Sequence, residues 1–192
     1  MRITGGKARG ILLQTPKGDS TRPATDRTRE AVFSSLGTQI EGSVCVDLFA
    51  GTGSYGFEAL SRGAQSCLFY DCKPEAIQCL KKNKKNVSKS ADLQDEQSKI
   101  FKVNLMNTEY DWTQKIFKKA DCIFLDPPYA LLDAHLSYFL ESLSLQFAHK
   151  DSILILECPS HLAIKCHAWT VQKRIGSSGK SKPNSILLNR NS

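Results

Sequence analysis

With 192 residues the chain is one domain by the usual length prior, long enough to bury a sizeable core. Hydrophobic residues make up 41% and charged residues 23%, an ordinary globular balance, and the lack of an apolar run of bilayer length excludes a membrane-helix protein. The formal charge of +7 favours a polyanionic partner.

The opening segment reads as two short strands, Arg2-Ile3-Thr4 and residues 10–15, around a Gly5-Gly6 turn, a small β-hairpin appended to the main fold. Residues 16–19 break it, and Thr21-Arg22-Pro23-Ala24-Thr25-Asp26 is an extended lead into a helix cap. Residues 27–36 then carry Ala31, Val32, Phe33 and Leu36 at helical spacing, with Gly37 as the stop. Within residues 1–30 stand seven basic side chains (Arg2, Lys7, Arg9, Lys17, Arg22, Arg27 and Arg29) against three acidic ones, a net +4. More than half of the total charge therefore sits in less than a sixth of the chain. The start turns polar at once, without the apolar core of a signal peptide, so a cytoplasmic protein is expected.

From residue 44 onward, short apolar strands alternate with helices. Strands are predicted at 44–49, 67–70, 100–103, 122–125 and 153–156, and helices at 55–62, 74–85 and 131–147. This alternation is that of an α/β fold with a mostly parallel sheet covered on both faces. Residues 169–175 and 185–189 are separated by a linker too short for a helix and should close the sheet as an antiparallel hairpin. The Lys81-Lys82-Asn83-Lys84-Lys85 run falls late in a helix and is expected to be a solvated face. Residues 88–98 look like a polar loop. The seven cysteines form no Cys-x-x-Cys pair, and Cys45, Cys67 and Cys122 lie inside apolar runs, which reads as a reducing compartment with no structural metal.

Two motifs carry chemistry. After the first strand comes Asp47-Leu48-Phe49-Ala50-Gly51-Thr52-Gly53-Ser54-Tyr55-Gly56, and Asp71 follows Gly51 by 20 residues at the end of the second strand. Gly51, Gly53 and Gly56 satisfy the dinucleotide fingerprint, so NAD has a claim. The same physics serves S-adenosylmethionine: glycines admit the ligand to the backbone, and a carboxylate after the second strand accepts from ribose hydroxyls. Asp47 favours the second owner, because a pyrophosphate beside it would be repelled. Asn104, closing the third strand, keeps an acceptor oxygen for an adenine amine.

The second motif, Asp126-Pro127-Pro128-Tyr129, ends the fourth strand, in the crevice where open α/β sheets bind ligands. It suits methyl transfer to the exocyclic amine of a nucleobase. The lone pair of that amine is delocalised into the ring, and acceptors at Asp126 and at the Pro127 carbonyl would localise it. The two prolines fix φ and carry no N–H of their own. Tyr129 offers a flat face for an unstacked base, worth about 1–3 kcal/mol.

Together with Arg2-Ile3-Thr4-Gly5-Gly6-Lys7-Ala8-Arg9-Gly10, the stretch from Thr21 through Phe33 and Glu58-Ala59-Leu60-Ser61-Arg62-Gly63-Ala64, these motifs resemble the bacterial ribosomal-RNA small-subunit methyltransferase D family. The resemblance runs to about residue 130. It implies a Rossmann-like class I methyltransferase with a seven-stranded sheet that places one methyl on N2 of a guanine in 16S ribosomal RNA, free or in the small subunit, as a monomer. It further implies that Asp47, Phe49, Ala50, Gly51, Thr52, Gly53, Asp71, Cys72 and Asn104 hold S-adenosylmethionine and that Asp126 to Tyr129 hold the base. Arg2, Lys7, Arg9, Arg22 and Arg27 would border the RNA. One departure is that Cys72 and Pro74 flank Lys73, where the family usually has polar residues. The competing readings are a DNA adenine-N6 or glutamine-N5 methyltransferase, a non-catalytic RNA-binding Rossmann module, and an NAD oxidoreductase.

Overall fold

The computed structural model describes residues 1–15, 26–106, 119–128, 131–132, 136–176 and 183–191. Helix α1 (Asp26–Leu36) and a 3-10 turn (Gly37–Ile40) lead into strand β1 (Val44–Leu48). Then follow α2 (Ser54–Ser61), β2 (Ser66–Asp71), α3 (Pro74–Ala91), β3 (Ser98–Lys102), β4 (Ala120–Leu125), α4 (Leu136–Gln146), β5 (Ala148–Pro159), β6 (Trp169–Gly176) and β7 (Pro183–Arg190).

The seven strands form one sheet in the order β3-β2-β1-β4-β5-β7-β6. The first five run parallel, β7 lies antiparallel to β5, and β6 closes the edge antiparallel to β7. The α/β class and the C-terminal hairpin are therefore as expected. Strand order reverses between β1 and β4, so their carboxyl ends part and leave a crevice.

Alternate residues of each strand face opposite layers. Cys45, Cys67, Phe69, Cys122, Phe124, Ile153, Ile155 and Leu187 pack with Val32, Phe33 and Leu36 of α1, with α2 and with Leu80 and Val87 of α3. Val46, Leu48, Leu68, Tyr70, Ile123, Leu125, Leu154, Leu156 and Leu188 pack with Phe139, Leu140 and Leu143 of α4. Trp169 locks this second layer by donating its indole N–H to the Leu140 carbonyl at 3.0 Å. All seven cysteines are free thiols, as their spacing implies.

Helix α1 ends where Gly37 takes φ +54°, as predicted. Helix α3 runs six residues past its predicted end, into the stretch read as a loop, and stops at Asp92 with φ +54°. The reason is burial: Ala76, Leu80, Asn83, Val87 and Ala91 continue one inward stripe, and this outweighs the weak helix propensity of Ser88 and Ser90.

The N-terminal segment also differs. Its arms meet antiparallel, but in a single bridge between Arg2 and Leu12 rather than in two strands. Four of its amides are spent elsewhere: Thr4 and Gly5 donate to the Glu58 carboxylate at 2.8 Å each, Lys7 to the Ser61 carbonyl at 2.7 Å, and Ala8 to Ser61 Oγ at 2.9 Å. The segment is thus appended, as expected, but it is held through its turn to α2 more than by strand pairing. Among the described residues no helix is long and apolar enough to cross a membrane, and no group of three or more His, Cys, Asp or Glu side chains could hold a metal ion.

Candidate active site

The loop from β1 to α2 is wound tightly by three residues with positive φ: Phe49 (57°), Gly51 (54°) and Gly53 (75°). A left-handed conformation strains a bulky residue such as Phe49. Its ring is held 5.9 Å from that of Phe139 on α4. The three glycines do different work. A Cβ on Gly53 would lie 2.7 Å from Leu80, and one on Gly56 would lie 2.6 Å from Cys67 Sγ and overlap the Phe69 ring, so both serve close packing of α2. A Cβ on Gly51 would meet nothing nearer than the Phe49 carbonyl at 3.9 Å. That open side, at the carboxyl end of β1, is where a ligand has access to the backbone. Gly56→Ala should lower stability by about 1–3 kcal/mol through overpacking, measured by urea denaturation, while Gly51→Ala should cost less stability and more ligand affinity.

Carboxylates brace this loop. Asp47 is buried and accepts from the Gly56 amide at 2.9 Å, which makes it the acid that orders the start of α2. Burial pushes its carboxyl well above the ordinary range, and the neighbouring Asp126 and Asp71 charges add to the shift. Asp71 accepts from the Gly51 amide at 2.8 Å and from the Lys73 amide at 2.9 Å. It ties the glycine loop to the end of β2, with Ala50 N–H bonded to the Tyr70 carbonyl at 3.0 Å beside it. Cys72 is exposed next to it. Asn104 is exposed too, and its Oδ1 accepts from the Met106 amide at 3.0 Å, so part of its acceptor capacity serves its own turn.

Thr52 is fixed by a residue that the sequence conceals. Asn83, wholly buried inside the lysine run, donates to the Thr52 carbonyl at 2.9 Å and the Gln14 carbonyl at 3.0 Å, and accepts from the Gln14 amide at 2.8 Å. One amide thereby clamps the N-terminal segment to the glycine loop, and Met1 Sδ touches Thr52 Oγ1 at 3.6 Å. Around it Lys81, Lys82 and Lys85 are solvated as expected, while Lys84 pairs with Asp95 at 2.7 Å.

Asp126 leaves β4 one residue past its last paired position, and its amide donates to the Leu48 carbonyl at 3.4 Å, holding it against the end of β1. The side chain reaches solvent through the crevice mouth. Desolvation by the surrounding protein, and then the charge of Glu157, raise its carboxyl to about 7. Pro127 is buried and Pro128 exposed, and the Pro128 carbonyl accepts from the Leu131 amide at 2.9 Å, which tightens the turn. Tyr129 lies outside the described residues.

The basic residues divide. Arg2, Lys7, Arg9 and Arg27 are exposed, whereas Arg22 lies outside the described residues. Arg2 sits beside Asp26 at the head of α1, its Nε 3.8 Å from Oδ2. Lys7 and Arg9 lie in the turn beside Ser61, at the far end of α2, so the segment spreads its charge along that helix instead of gathering it at the crevice. Arg29 is wholly buried and is no surface cation. Its Nε meets Glu58 at 3.3 Å and its Nη2 meets Asp26 at 3.0 Å and the Arg2 carbonyl. Glu58, also fully buried, gathers Thr4, Gly5, Arg29 and Arg62. The signal for Arg29 was its helical phase, one turn before Val32 and Phe33; α2 is buried on every side, so phase gives no such signal for Glu58.

A ribosomal RNA small subunit methyltransferase D from Haemophilus influenzae is 35% identical to this chain over 129 residues, spanning 67% of the chain and 64% of the relative's own length. A solved hypothetical protein of Thermus thermophilus superposes with a TM-score of 0.73 at 27% identity, covering 100% of this chain and 99% of that one. The precorrin-6y C5,15-methyltransferase of Geobacter metallireducens has a TM-score of 0.67 at 12% identity over 97% of this chain and 98% of that one, and shares the class I methyltransferase fold alone. The family model described as conserved hypothetical protein 95 matches residues 1–182, and the chain belongs to that family, the methyltransferase D family its motifs resemble.

Proposed function

We propose that the protein transfers a methyl group from S-adenosylmethionine to the exocyclic N2 amine of a guanine in 16S ribosomal RNA, acting in the cytoplasm on the free RNA or on the small subunit. The observation that carries this reading is a juxtaposition at one sheet edge. The carboxyl ends of β1 and β2 present a glycine loop braced by Asp47 and Asp71, and the adjacent end of β4 presents Asp126 on a Pro-Pro turn. The open side of Gly51 fits a ligand that lies against the backbone.

In this reading the loop from Phe49 to Gly53, with Asp71, Cys72 and Asn104, holds the cofactor, which supplies an electrophilic methyl group on a sulfonium. Asp126 and the Pro127 carbonyl accept from the two N–H bonds of the target amine, draw its nitrogen toward tetrahedral geometry and aim its lone pair. Tyr129 stacks on the extruded base. Once the amine carries its new substituent it becomes acidic, and its proton passes to Asp126 or to water. Most of the rate comes from positioning, for which well-oriented groups gain on the order of 7–11 kcal/mol. Extruding a base costs a few kcal/mol, least from a loop, so a loop guanine is the target. Arg2, Lys7, Arg9, Arg22 and Arg27 engage the phosphates, and binding should weaken steeply with salt.

Asp126 is an acceptor on both oxygens, and carries the charge that offsets the developing cation, only when ionised. Because its carboxyl titrates at about 7, methyl transfer should rise about tenfold per pH unit below neutrality and level off above it. Asp126→Asn should erase this limb. The stability sign is opposite to that of a salt-bridged acid. A folded carboxyl raised above its unfolded value favours the protonated native state, so stability falls as pH climbs from about 4 to about 7. With a discount for the water that reaches the group, Asp126→Asn should be about 1 kcal/mol more stable than wild type at pH 8 and equal to it at pH 4. Melting curves at the two pH values check this.

Calorimetric titration separates the reading from its NAD rival: S-adenosylhomocysteine should bind and NAD should not. NAD binding with no S-adenosylhomocysteine binding would overturn the proposal.

A further inference from the structure

Strand β5 brings a second carboxylate to the acceptor side of the crevice. The β4–β5 register pairs Leu125 with Leu156, and one step further sets Asp126 beside Glu157 on strands about 4.8 Å apart. Glu157 is buried, and two hydroxyls donate to the same oxygen, Oε1: that of Tyr55 from α2 and that of Ser185 from β7. Tyr55 is itself held flat against Phe124, ring centroids 5.2 Å apart. Three elements thus converge to aim one carboxylate, and two O–H donors on one oxygen keep it an acceptor.

The neighbours make this placement costly. Asp126 and Glu157 repel each other when both are charged. Among the described residues, Arg29 of α1 and the two hydroxyls relieve it, and burial still raises the Glu157 carboxyl above the ordinary range. Localising an amine lone pair needs one carboxylate, so the second has another task.

Guanine supplies that task. Its Watson–Crick edge presents two adjacent donors, N1–H and the N2 amine, whereas adenine presents a bare acceptor nitrogen beside its N6 amine. We infer that Glu157 accepts the N1–H of the target base while Asp126 holds the N2 amine, so that Glu157 selects guanine over adenine. The inference rests on the methyl-transfer reading above and gives base choice a residue outside the Asp-Pro-Pro-Tyr motif. With adenine in the pocket, Glu157 would face a lone pair, and a site built around a hydrogen bond rejects partners that lack it far more strongly than a merely shaped pocket does.

The test replaces the methylated guanine of reconstituted small-subunit RNA by 2-aminopurine, which keeps the 2-amine but has no proton on N1. Wild type should prefer guanine by at least about 10²-fold in kcat/KM. Glu157→Gln keeps an oxygen for Tyr55 and Ser185 but offers an amide that donates as well as accepts, and its preference should shrink to within about tenfold. Tyr55→Phe leaves Glu157 in place with one aiming donor removed and should lose part of the preference. It also keeps the test alive if the first variant fails to fold. Wild-type discrimination in a folded Glu157→Gln or Tyr55→Phe would overturn the role of Glu157 alone. A wild-type enzyme that methylates no guanine in the RNA would overturn both readings.

Discussion

Asp126→Ala should lower methyl transfer by about 10²–10³-fold or more while leaving the affinity for S-adenosylhomocysteine within about threefold of wild type. The asymmetry follows from the geometry. The loop that would hold the cofactor is fixed by Asp47 on the Gly56 amide and by Asp71 on the Gly51 amide. None of these contacts involves the Asp126 side chain. What the variant loses is the acceptor facing the target amine, an interaction that strengthens as positive charge develops on nitrogen. Single-turnover rates with saturating cofactor, beside a calorimetric titration, separate the two quantities. Near-native turnover in the variant would refute the mechanism, and a parallel collapse of cofactor affinity would show that Asp126 belongs to the donor side instead.

The second large effect lies away from the crevice. Glu58→Ala should cost about 3–5 kcal/mol of folding stability, because it removes the fully buried counter-charge of Arg29 and leaves it only the partly exposed Asp26 carboxylate. Arg29 already has one buried nitrogen, Nη1, with no hydrogen-bond partner among the described residues, so it has no spare arrangement to fall back on. At about 2–4 °C per kcal/mol for a chain of this size, the melting temperature should drop by roughly 10 °C. The same change removes the acceptor of the Thr4 and Gly5 amides, so the N-terminal segment should come loose first. Hydrogen exchange would show those two amides losing protection well before the strands do. A fall of less than about 2 °C would mean that the Glu58 cluster is a solvated network, contrary to its full burial.

Much of the architecture was legible because it depends on local pattern. Apolar strands with helices between them dictate a covered parallel sheet, and a strand pair with no helix between dictates the closing hairpin. The acids at strand ends, Asp47, Asp71 and Asp126, announced themselves by position. What stayed hidden depends on which elements become neighbours. Glu157 follows Ile153-Leu154-Ile155-Leu156 and reads as a polar residue ending a buried strand. Only the strand order, with β5 beside β4, makes it the companion of Asp126. Asn83 is masked by four lysines, although it stands at the inward phase of α3 between Leu80 and Val87. Two N-terminal strands were expected from their glycine turn; the arms exchange a few amide bonds, those of Ile3, Gly10 and Leu13, but Thr4 and the turn after it are drawn to Glu58 and Ser61, a contact between segments more than 50 positions apart. The third glycine of the loop shows the same limit. Gly56 completes a dinucleotide pattern in the sequence, and in the fold its missing Cβ serves the packing of α2 on Phe69 and Cys67.

The central claim, that this crevice methylates a guanine amine of the small-subunit RNA, is tested most directly by deleting the gene and mapping methylated guanines in that RNA by mass spectrometry. The account predicts the loss of N2-methylguanine at one position, restored by the wild-type gene and not by one encoding Asp126→Ala. An unchanged N2-methylguanine map in the deletion strain would contradict it.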